Sequence, residues 1–492
     1  MRELKHYIDP NPDSPFIYVD GRKITFGGMN RLVSAGYGVI QRYTPLEPGD
    51  KVGILMPDRF LFVVTLLALM RMRVVSVPLN TRLTAAELSW QVKNADCRLL
   101  ICEGDTRALA GELGTDVMEM PNIDLADPTP QFADYGLINL DDDFAIIHTS
   151  GTSGRPKAAI LTLGNVYQSA QASAQLLGHL ENECWLCVLP LYHVGGLSII
   201  LRSLIYSTAV EFGPTSPFDV QETNRVLSAN PITLISLVPT MLQRLLDAKT
   251  RPWNPQLRLI LLGGEAPSAE LLARCQAENL PIATTYGLTE TASQVATALP
   301  EQVYRKPGTV GKPLKNTQVR IVGEGGEGAA PKVPGEVLVK GGTVMRGYYG
   351  DPAATDAALR DGWLQTGDIG YLDEDGDLFI LQRRADLIVS GGENIYPAEV
   401  ERVLRSHPQV AEAVVFGAPD AQWGQRVAAL IQPVFGASIS TKDIDRFLRE
   451  RLASYKSPRK IVFVDALPLT ASGKIQRREA RRIFDDAVSH NT

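Results

Sequence analysis

The sequence predicts an α/β protein with a large N-terminal part of layered α/β subdomains, a β-rich subdomain and a smaller C-terminal domain. Three observations support this fold class. Up to about residue 307, short apolar runs alternate with longer helical patterns. From about residue 308 the pattern changes to short β runs joined by Gly-rich connectors. From residue 387 the charge changes sign, because residues 387–492 carry a net +3 and residues 1–386 carry −9.

Composition and length exclude several classes of protein. The chain has 492 residues, of which 45% are hydrophobic and 21% charged, as in soluble proteins of more than one domain. A net charge of −6 and a pI near 5.7 argue against a general nucleic-acid binder. The longest apolar run, from Phe60 to Met70, is too short to cross a bilayer, and the N-terminus lacks the apolar core of a signal peptide.

The five cysteines are too few for a disulfide framework. Cys184 and Cys187 have the spacing of a redox or zinc pair, but they lie in an apolar run, and Cys97 and Cys102 flank another. Free cysteines in such runs act as small hydrophobic residues in strands. We therefore expect no metal at the cysteines and a reducing, cytoplasmic compartment.

The first elements indicate a hairpin followed by a βαβ unit. In chain order, the patterns predict a hairpin over 16–26, a strand over 51–56, a helix over 60–70, a strand over 74–79, a helix over 83–95 and a strand over 99–102. Residues 112–142 carry three prolines and are expected to form a surface excursion.

The middle of the chain continues this alternation of strands and helices. The patterns predict helices over 163–180 and 197–205, and strands over 184–191, 232–238, 257–262 and 282–287. Several of these strands end in turns rich in glycine or hydroxyl residues, such as Gly263-Gly264. Ligands of open α/β sheets bind at the carboxyl ends of the strands, so we expect one site assembled from at least four loops.

The first of these loops is rich in hydroxyl and glycine residues. It reads Thr149, Ser150, Gly151, Thr152, Ser153, Gly154, Arg155, Pro156 and Lys157. Free backbone N–H groups, hydroxyls and a lysine suit a polyphosphate. The loop is not a Walker A motif, because Pro156 precedes the lysine and Ala158 follows it, and it is not a nucleophile elbow. An ordinary flexible turn is the alternative.

Two further strings carry carboxylates. In the string from Thr285 to Thr291, Glu290 is a hard oxygen ligand between two threonines, Thr289 and Thr291, and could hold Mg²⁺ against phosphate oxygens. A helix cap is the alternative for this acid–hydroxyl pair. In the string from Trp363 to Asp368, the Asp368 carboxylate could accept both ribose hydroxyls. A plain turn is the alternative there.

The last two strings lie at the composition boundary and near the C-terminus. The string from Arg383 to Pro397 contains Gly391 and Gly392, a turn where the chain could approach a narrow ligand, and its proline suits the first turn of a helix. The string from Leu467 to Arg477 places Lys474 after a Ser-Gly turn. Such a lysine is most often simply exposed.

Together and in this order, the five strings resemble the adenylate-forming superfamily, which includes acyl- and aryl-CoA ligases, luciferases and peptide-synthetase adenylation domains. The resemblance implies an N-terminal ATP- and carboxylate-binding domain over 1–382, with its β-rich subdomain at about 308–382. It further implies a hinge over 383–386 and a mobile α+β domain over 387–492. The implied reaction has two steps, in which ATP and a carboxylate form an acyl-adenylate and CoA then displaces AMP.

The resemblance also implies roles for individual residues. By position, Glu290 with Thr289 would bind Mg²⁺, and Lys474 would contact the carboxylate and the α-phosphate. Arg383 and Asp368 would contact the ribose. The residues implied to contact the adenine are Thr285, Tyr286 and Gly287, and those implied to contact the rest of the nucleotide are Gly263 and Gly264. Rotation of the small domain would withdraw Lys474 and bring Gly391 and Gly392 to the thiol tunnel. The chain departs from the family in having Gln382 before the arginine and Ala385 at the pivot.

The string from Leu189 to Ser198 narrows the choice of the carboxylic acid substrate. It lacks the aspartate with which amino-acid-activating domains hold the substrate amine. Within the CoA ligases, this string with residues 291–294 and 382–384 is most similar to the o-succinylbenzoate–CoA ligases of menaquinone and phylloquinone synthesis. The resemblance implies that His193 shapes the carboxylate pocket, with Gly264 and Gln294 near the substrate. Arg202 is the candidate for the second carboxylate, and a surface arginine is the alternative.

Two other functions remain open from the sequence. One is a medium-chain or aryl acyl-CoA ligase of broader specificity. The other is a nucleotide-binding regulator without catalysis, against which the presence of both Lys474 and Glu290 argues. The expected partners are a small carboxylic acid, ATP and CoA, with no nucleic acid and no transmembrane segment, and a homo-oligomer is left open.

Overall fold

The structure is a computed structural model. It describes residues 11–83, 85–123, 139–149, 156–180, 182–213, 218–323, 325–383, 388–390, 393–395, 397–420, 424–449, 451–452, 454–470 and 474–489. Within these ranges the chain forms a nine-stranded sheet, a seven-stranded sheet and two five-stranded sheets, with helices packed against them. The predicted α/β class, with a β-rich part and a smaller C-terminal part, is confirmed.

The first part of the chain contains the predicted hairpin and the βαβ unit. Its elements are β1 (Pro15–Val19), β2 (Arg22–Thr25), α1 (Phe26–Tyr43), β3 (Lys51–Leu55), α2 (Arg59–Arg71), β4 (Val75–Pro78), α3 (Ala85–Asn94), β5 (Leu99–Cys102), α4 (Arg107–Gly111) and β6 (Asp116–Glu119). Strands β3 and β4 are parallel, and α2 connects them. Asp58 caps α2 by accepting hydrogen bonds from the N–H groups of Phe60 and Leu61 at 2.7 and 3.0 Å.

The second part supplies most of the largest sheet. Its elements are β7 (Asp143–Thr149), β8 (Lys157–Thr162), α5 (Leu163–Leu177), β9 (Cys184–Cys187), α6 (Val194–Tyr206), β10 (Ala209–Phe212), α7 (Val220–Ala229), β11 (Leu234–Leu237), α8 (Pro239–Asp247), β12 (Leu259–Leu262), α9 (Ala269–Ala277), β13 (Ile282–Leu288), β14 (Ser293–Ala298), α10 (Pro300–Arg305) and β15 (Lys312–Pro313). A 3₁₀ turn over Thr289–Thr291 separates β13 from β14.

The third part forms the β-rich subdomain. Its elements are β16 (Thr317–Val322), β17 (Gly335–Gly341), β18 (Gly347–Tyr348), α11 (Pro352–Ala358), β19 (Leu359–Arg360), β20 (Trp363–Leu372) and β21 (Leu378–Arg383). All of these strands except β18 belong to one antiparallel five-stranded sheet. The ammonium of Lys306 lies 2.7, 2.5 and 2.6 Å from the carboxylates of Asp373, Asp375 and Asp377, and so ties the β20–β21 turn to the end of α10.

The fourth part has a sheet of its own. Its elements are β22 (Ile388–Ser390), β23 (Glu393–Ile395), α12 (Pro397–Arg405), β24 (Val410–Asp420), β25 (Gly424–Pro433), α13 (Thr441–Arg449), β26 (Lys460–Phe463) and α14 (Arg477–Ser489). Helix α12 begins at Pro397, as the sequence predicts, because proline fits a position whose N–H has no partner inside the helix. The limits of the predicted hinge stay a prediction, since residues 384–387 lie outside the described ranges.

The nine-stranded sheet is parallel in its centre and antiparallel at both ends, whereas the seven-stranded sheet is antiparallel only at its β18-β8-β7 end. The nine-stranded sheet runs β15-β14-β13-β12-β11-β9-β10-β1-β2, and the seven-stranded sheet runs β18-β8-β7-β4-β3-β5-β6. Strands β9, β11 and β12 are buried along their whole length. Burial on both faces explains why their sequences are continuous apolar runs with no polar alternation. The predicted placement of Cys184 and Cys187 in a strand is confirmed, since both thiols are free and buried in β9.

Two sequence-based expectations are wrong in detail. The surface excursion predicted over 112–142 contains Asp116–Glu119, which pairs in parallel with Leu99–Cys102 and extends the seven-stranded sheet. Residues 124–138 of that excursion lie outside the described ranges. The strand predicted over 184–191 ends at Cys187, and the rest is a loop leading into α6. Among the described residues, no helix is both long and apolar enough to cross a membrane.

Candidate active site

Three of the predicted loops meet at one edge of the nine-stranded sheet. Strands β9, β11, β12 and β13 are parallel neighbours, so their carboxyl ends lie side by side. The loop to His193 follows β9, Gly263 and Gly264 follow β12, and Thr285 to Gly287 lie near the end of β13. This arrangement fits the rule that ligands bind at the carboxyl ends of parallel strands.

The hydroxyl-rich loop lies between two paired strands of the other large sheet. Thr149 ends β7 and is the antiparallel partner of Lys157, which begins β8. The Thr149 hydroxyl donates to the carbonyl of Lys157 at 3.3 Å, so the loop leaves and returns at one place. The Lys157 ammonium lies 4.9 Å from the centre of the Tyr348 ring. Residues 150–155 lie outside the described ranges, so their contact with phosphate stays a prediction.

Glu290 has the chemistry of a magnesium ligand. It lies in the 3₁₀ turn with Thr289, and both side chains are partly exposed. The Tyr348 hydroxyl donates to Oε1 of Glu290 at 2.9 Å. Within the described part of the chain, Oε2 has no hydrogen-bond partner, which leaves one hard oxygen available to a cation. The residues present therefore fit Mg²⁺.

Lys474 reaches the same edge from the small C-terminal part. A β carbon placed on Gly264 would lie 2.9 Å from Cε and 3.0 Å from Nζ of Lys474. Gly264 also has φ of +85°, a conformation that glycine adopts without strain. The lysine is thus packed against the backbone at the end of β12, and a side chain at Gly264 would displace it.

His193 and Glu265 face this lysine from the large part of the chain. Both side chains reach solvent, yet protein surrounds them closely, so they lie in a cleft rather than on an open surface. Burial, with a further contribution from Lys474, lowers the pKa of His193 to about 4. Burial raises the pKa of Glu265, and the nearby charges of Lys474 and Arg405 partly offset this. His193 is therefore a neutral imidazole at physiological pH.

The predicted adenine and ribose residues are in direct contact. The Tyr286 hydroxyl donates to Oδ2 of Asp368 at 2.7 Å, and both side chains are buried. Asp368 pairs across β20 and β21 with Arg383, whose side chain lies outside the description. Gly287 must be glycine, because a β carbon there would lie 1.6 Å from the carbonyl oxygen of Ser293. Thr285 shares a hydrogen bond of 2.8 Å with the hydroxyl of Thr297.

Arg202 is not the surface arginine that the sequence left as an alternative. Its residue is only 6% exposed, and burial lowers the pKa of its guanidinium to about 10. Nη2 donates to Oε1 of Gln294 at 2.9 Å, and the guanidinium lies 4.8 Å from the centre of the Trp185 ring. Among the described residues, its Nε has no hydrogen-bond partner and no carboxylate lies within ion-pairing distance, although the charge of Glu183 is near enough to raise the pKa of the guanidinium. This cation therefore remains charged at neutral pH.

Arg202 lines a narrow cavity of about 10 Å³. Val194, Ser198 and Arg202 follow one another at four-residue spacing on α6 and so share one helix face. The opposite wall includes Ala292, whose φ of +48° is followed by +99° at Ser293. A hydrogen bond of 2.6 Å from the Ser169 hydroxyl to the Ala292 carbonyl holds this unusual turn. Strained backbone of this kind is frequent at ligand sites.

Several contributors to the site were missed by the sequence analysis. Tyr348 carries no local signal, because β18 is only two residues long and meets the site through its pairing with β8. Trp185 reads as one more apolar residue of a strand, although its ring covers Arg202. Glu265 directly follows the predicted turn Gly263-Gly264, but its position beside Lys474 depends on how the small part packs. Gly391, Gly392 and residues 384–386 lie outside the described ranges, so their roles stay predictions.

The chain belongs to the AMP-binding enzyme family. The family model matches residues 4–349, and the model of the AMP-binding enzyme C-terminal domain matches residues 399–474. A relative in Bacillus cereus, a 2-succinylbenzoate–CoA ligase, is 39% identical over 484 residues, with 96% of each chain covered.

The fold is also similar to that of the o-succinylbenzoate CoA synthetase of Bacillus subtilis. The complex with the acyl-adenylate intermediate OSB-AMP gives a TM-score of 0.89 at 34% identity, covering 97% of each chain. The complex with ATP and a magnesium ion gives 0.89 at 34% identity, covering 97% of this chain and 98% of that one. A double mutant bound with the product analogue OSB-NCoA gives 0.73 at 35% identity, with coverage of 97% and 98%.

Proposed function

We propose that the chain is an ATP-dependent acid–CoA ligase that converts 2-succinylbenzoate to 2-succinylbenzoyl-CoA, AMP and pyrophosphate. Family membership and the relatives named above support the reaction class. The substrate rests on one observation in this chain, which is the buried guanidinium of Arg202, a cation that forms no ion pair with any described residue and that lines the narrow cavity beside α6. A dianionic acid supplies the missing charge, whereas a fatty acid would leave the cation unpaired.

The two carboxylates of the acid would reach opposite ends of the site. Arg202 is nine residues beyond His193 on α6, which at 1.5 Å per residue places the two positions roughly 13 Å apart. The ring carboxylate would accept hydrogen bonds from Arg202. The succinyl carboxylate would lie between the neutral His193 and the ammonium of Lys474, where the α-phosphate of ATP is attacked.

The first step joins two anions, so its barrier is lowered by positive charge held in place beforehand. Lys474 would lie against both the attacking carboxylate and the α-phosphate. Mg²⁺ at Glu290 would neutralise phosphate oxygens as pyrophosphate leaves. Tyr286 holds Asp368 by a hydrogen bond of 2.7 Å, which fixes the carboxylate that would accept the ribose hydroxyls. The neutral imidazole of His193 adds no second cation beside the lysine.

The position of Lys474 supports a domain arrangement suited to the adenylation step. Its ammonium packs against Gly264, at the end of β12. The TM-score is also higher for the complex with the acyl-adenylate, at 0.89, than for the one with the product analogue, at 0.73. We infer that the small domain turns after adenylation, removes Lys474 from the cleft and admits the thiol of CoA.

A panel of acids tests the proposed function. The chain is incubated with ATP, Mg²⁺ and CoA, and pyrophosphate release and thioester formation are measured for 2-succinylbenzoate, benzoate and medium-chain fatty acids. We expect 2-succinylbenzoate to give the highest kcat/KM and acid-dependent pyrophosphate release. Thioester from benzoate or fatty acids with none from 2-succinylbenzoate would refute the substrate, and ATP binding without any acid-dependent pyrophosphate would indicate a non-catalytic regulator.

Apart from the acid, the expected partners are small molecules. The expected compartment is the cytoplasm. ATP, Mg²⁺ and CoA serve the two steps, and the described residues offer no membrane-spanning helix. The five free thiols fit a reducing compartment, where disulfides are rare.

A further inference from the structure

Tyr348 connects two parts of the phosphate side of the site. Its hydroxyl donates to Oε1 of Glu290 at 2.9 Å, and its ring lies 4.9 Å from the ammonium of Lys157. Glu290 follows a strand of the nine-stranded sheet, whereas Lys157 begins β8 in the seven-stranded sheet. The one side chain therefore contacts the proposed metal ligand and the base of the hydroxyl-rich loop together.

The tyrosine is held firmly enough to orient its neighbours. It is buried, and its strand β18 pairs with β8 at Tyr348 and Ala159. Its backbone N–H donates to the hydroxyl of Thr355 at 2.9 Å. The carbonyl of Glu290 also accepts a bond of 2.8 Å from the N–H of Met345, so the turn that carries the carboxylate is attached to the same segment.

We propose that Tyr348 is a positioning residue for the Mg²⁺ that accompanies ATP. Its hydroxyl occupies Oε1 of Glu290 and directs Oε2 toward the cation. Hydrogen bonds to a ligating carboxylate fix its orientation and raise the affinity of the site for metal. The contact with Lys157 keeps that lysine beside the loop while the carboxylate is held. This inference rests on the proposed function, because it assumes that ATP binds with Mg²⁺ at Glu290.

The neighbouring residue provides a matched control. Tyr349 donates its hydroxyl to Asp96 at 2.9 Å, and the ammonium of Lys51 lies 5.0 Å from the centre of its ring. Tyr349 thus repeats the same pattern of carboxylate, phenol and lysine, but with partners outside the site. Tyr348→Phe and Tyr349→Phe each remove one hydroxyl and keep the ring and its packing.

The test measures binding of ATP in the absence of any acid, by titration calorimetry with Mg²⁺ and again with EDTA. We expect Tyr348→Phe to weaken binding of ATP with Mg²⁺ by about tenfold or more and to leave binding in EDTA unchanged. Tyr349→Phe should match the unmodified chain in both conditions. In a Glu290→Gln background, Tyr348→Phe should have no further effect, because both changes act on one interaction.

Three results would overturn the proposal. The first is an unchanged affinity of Tyr348→Phe for ATP with Mg²⁺. The second is a loss of the same size with and without metal, and the third is an additional loss in the Glu290→Gln background. Either of the last two means that the hydroxyl acts on the fold rather than on the carboxylate. Because no acid is present, a wrong assignment of the acid substrate leaves this test intact.

Discussion

The nucleotide side and the acid side of the cleft are built in different ways. On the nucleotide side, Lys474, Glu290 and Asp368 come from strings that are legible in the sequence, and the lysine arrives from the small domain. On the proposed acid side, Arg202 is held by Gln294, which is 92 residues away in the chain, and by the ring of Trp185 on the neighbouring strand β9. If the proposed function is correct, the chemistry common to the family depends on where a domain sits, whereas the choice of acid depends on one buried charge.

The largest expected effect comes from removing the charge that the small domain delivers. Lys474→Ala should slow formation of the acyl-adenylate by on the order of 10²–10³-fold, because it removes a preorganised cation from the transition state. Thioester formation from supplied acyl-adenylate should largely persist. Pyrophosphate release and thioester formation are measured separately. The control is Lys460→Ala, which changes an exposed lysine. An equal loss of both steps would contradict the rotation of the domain.

A smaller effect is expected from crowding the same lysine. In Gly264→Ala, the new methyl group would meet Cε and Nζ of Lys474 at 2.9 and 3.0 Å, so the ammonium must move. We expect adenylation to fall by about tenfold, which is roughly 1.4 kcal/mol, with the thioester step preserved. Gly326→Ala is a matched control, since Gly326 has a similar φ of +83° with open space around it. Equal effects of both changes would show that backbone strain alone is responsible.

The smallest effect concerns stability rather than rate. His148, just before the hydroxyl-rich loop, has a pKa lowered to about 4 by burial, compared with about 6.5 in an unfolded chain. As pH falls from about 6.5 toward 4, the unfolded state takes up this proton first, so the free energy of unfolding decreases. His148→Gln should reduce the loss of stability between pH 7 and pH 5, measured by urea unfolding.

The control for the pH dependence is His179→Asn, which changes an exposed histidine. It should retain the full loss of stability on acidification. If His148→Gln retained the full loss as well, the buried imidazole would not be the group that titrates.

The sequence predicts local elements of the fold better than it predicts contacts between distant ones. The βαβ unit over β3, α2 and β4 was predicted correctly, because continuous apolar runs and a long apolar helix are local signals. Strand β6 was missed, since Asp116–Glu119 is largely exposed at a sheet edge and has no apolar run. Five strings predict a nucleotide side, because the backbone turns and charged residues of each string lie close together in the chain.

The acid side was harder to predict because burial is a property of the packed fold. Arg202 could be named as a candidate, but only the packing of α6 against Trp185 and Gln294 distinguishes it from a surface arginine. Tyr348 was missed for the same reason, since Glu290 is 58 residues away from it in the chain. Long-range contacts between short elements leave no periodic pattern in a single sequence.

The central claim is that Arg202 selects an acid with a second carboxylate. The most direct measurement compares the unmodified chain with Arg202→Met on two acids, 2-succinylbenzoate and 4-oxo-4-phenylbutanoate, which lacks only the ring carboxylate. Loss of a buried charge partner costs about 2–5 kcal/mol, so kcat/KM for 2-succinylbenzoate should fall by about 30-fold to 5,000-fold. The value for 4-oxo-4-phenylbutanoate should change little. Equal losses for both acids, or no loss for either, would contradict the account.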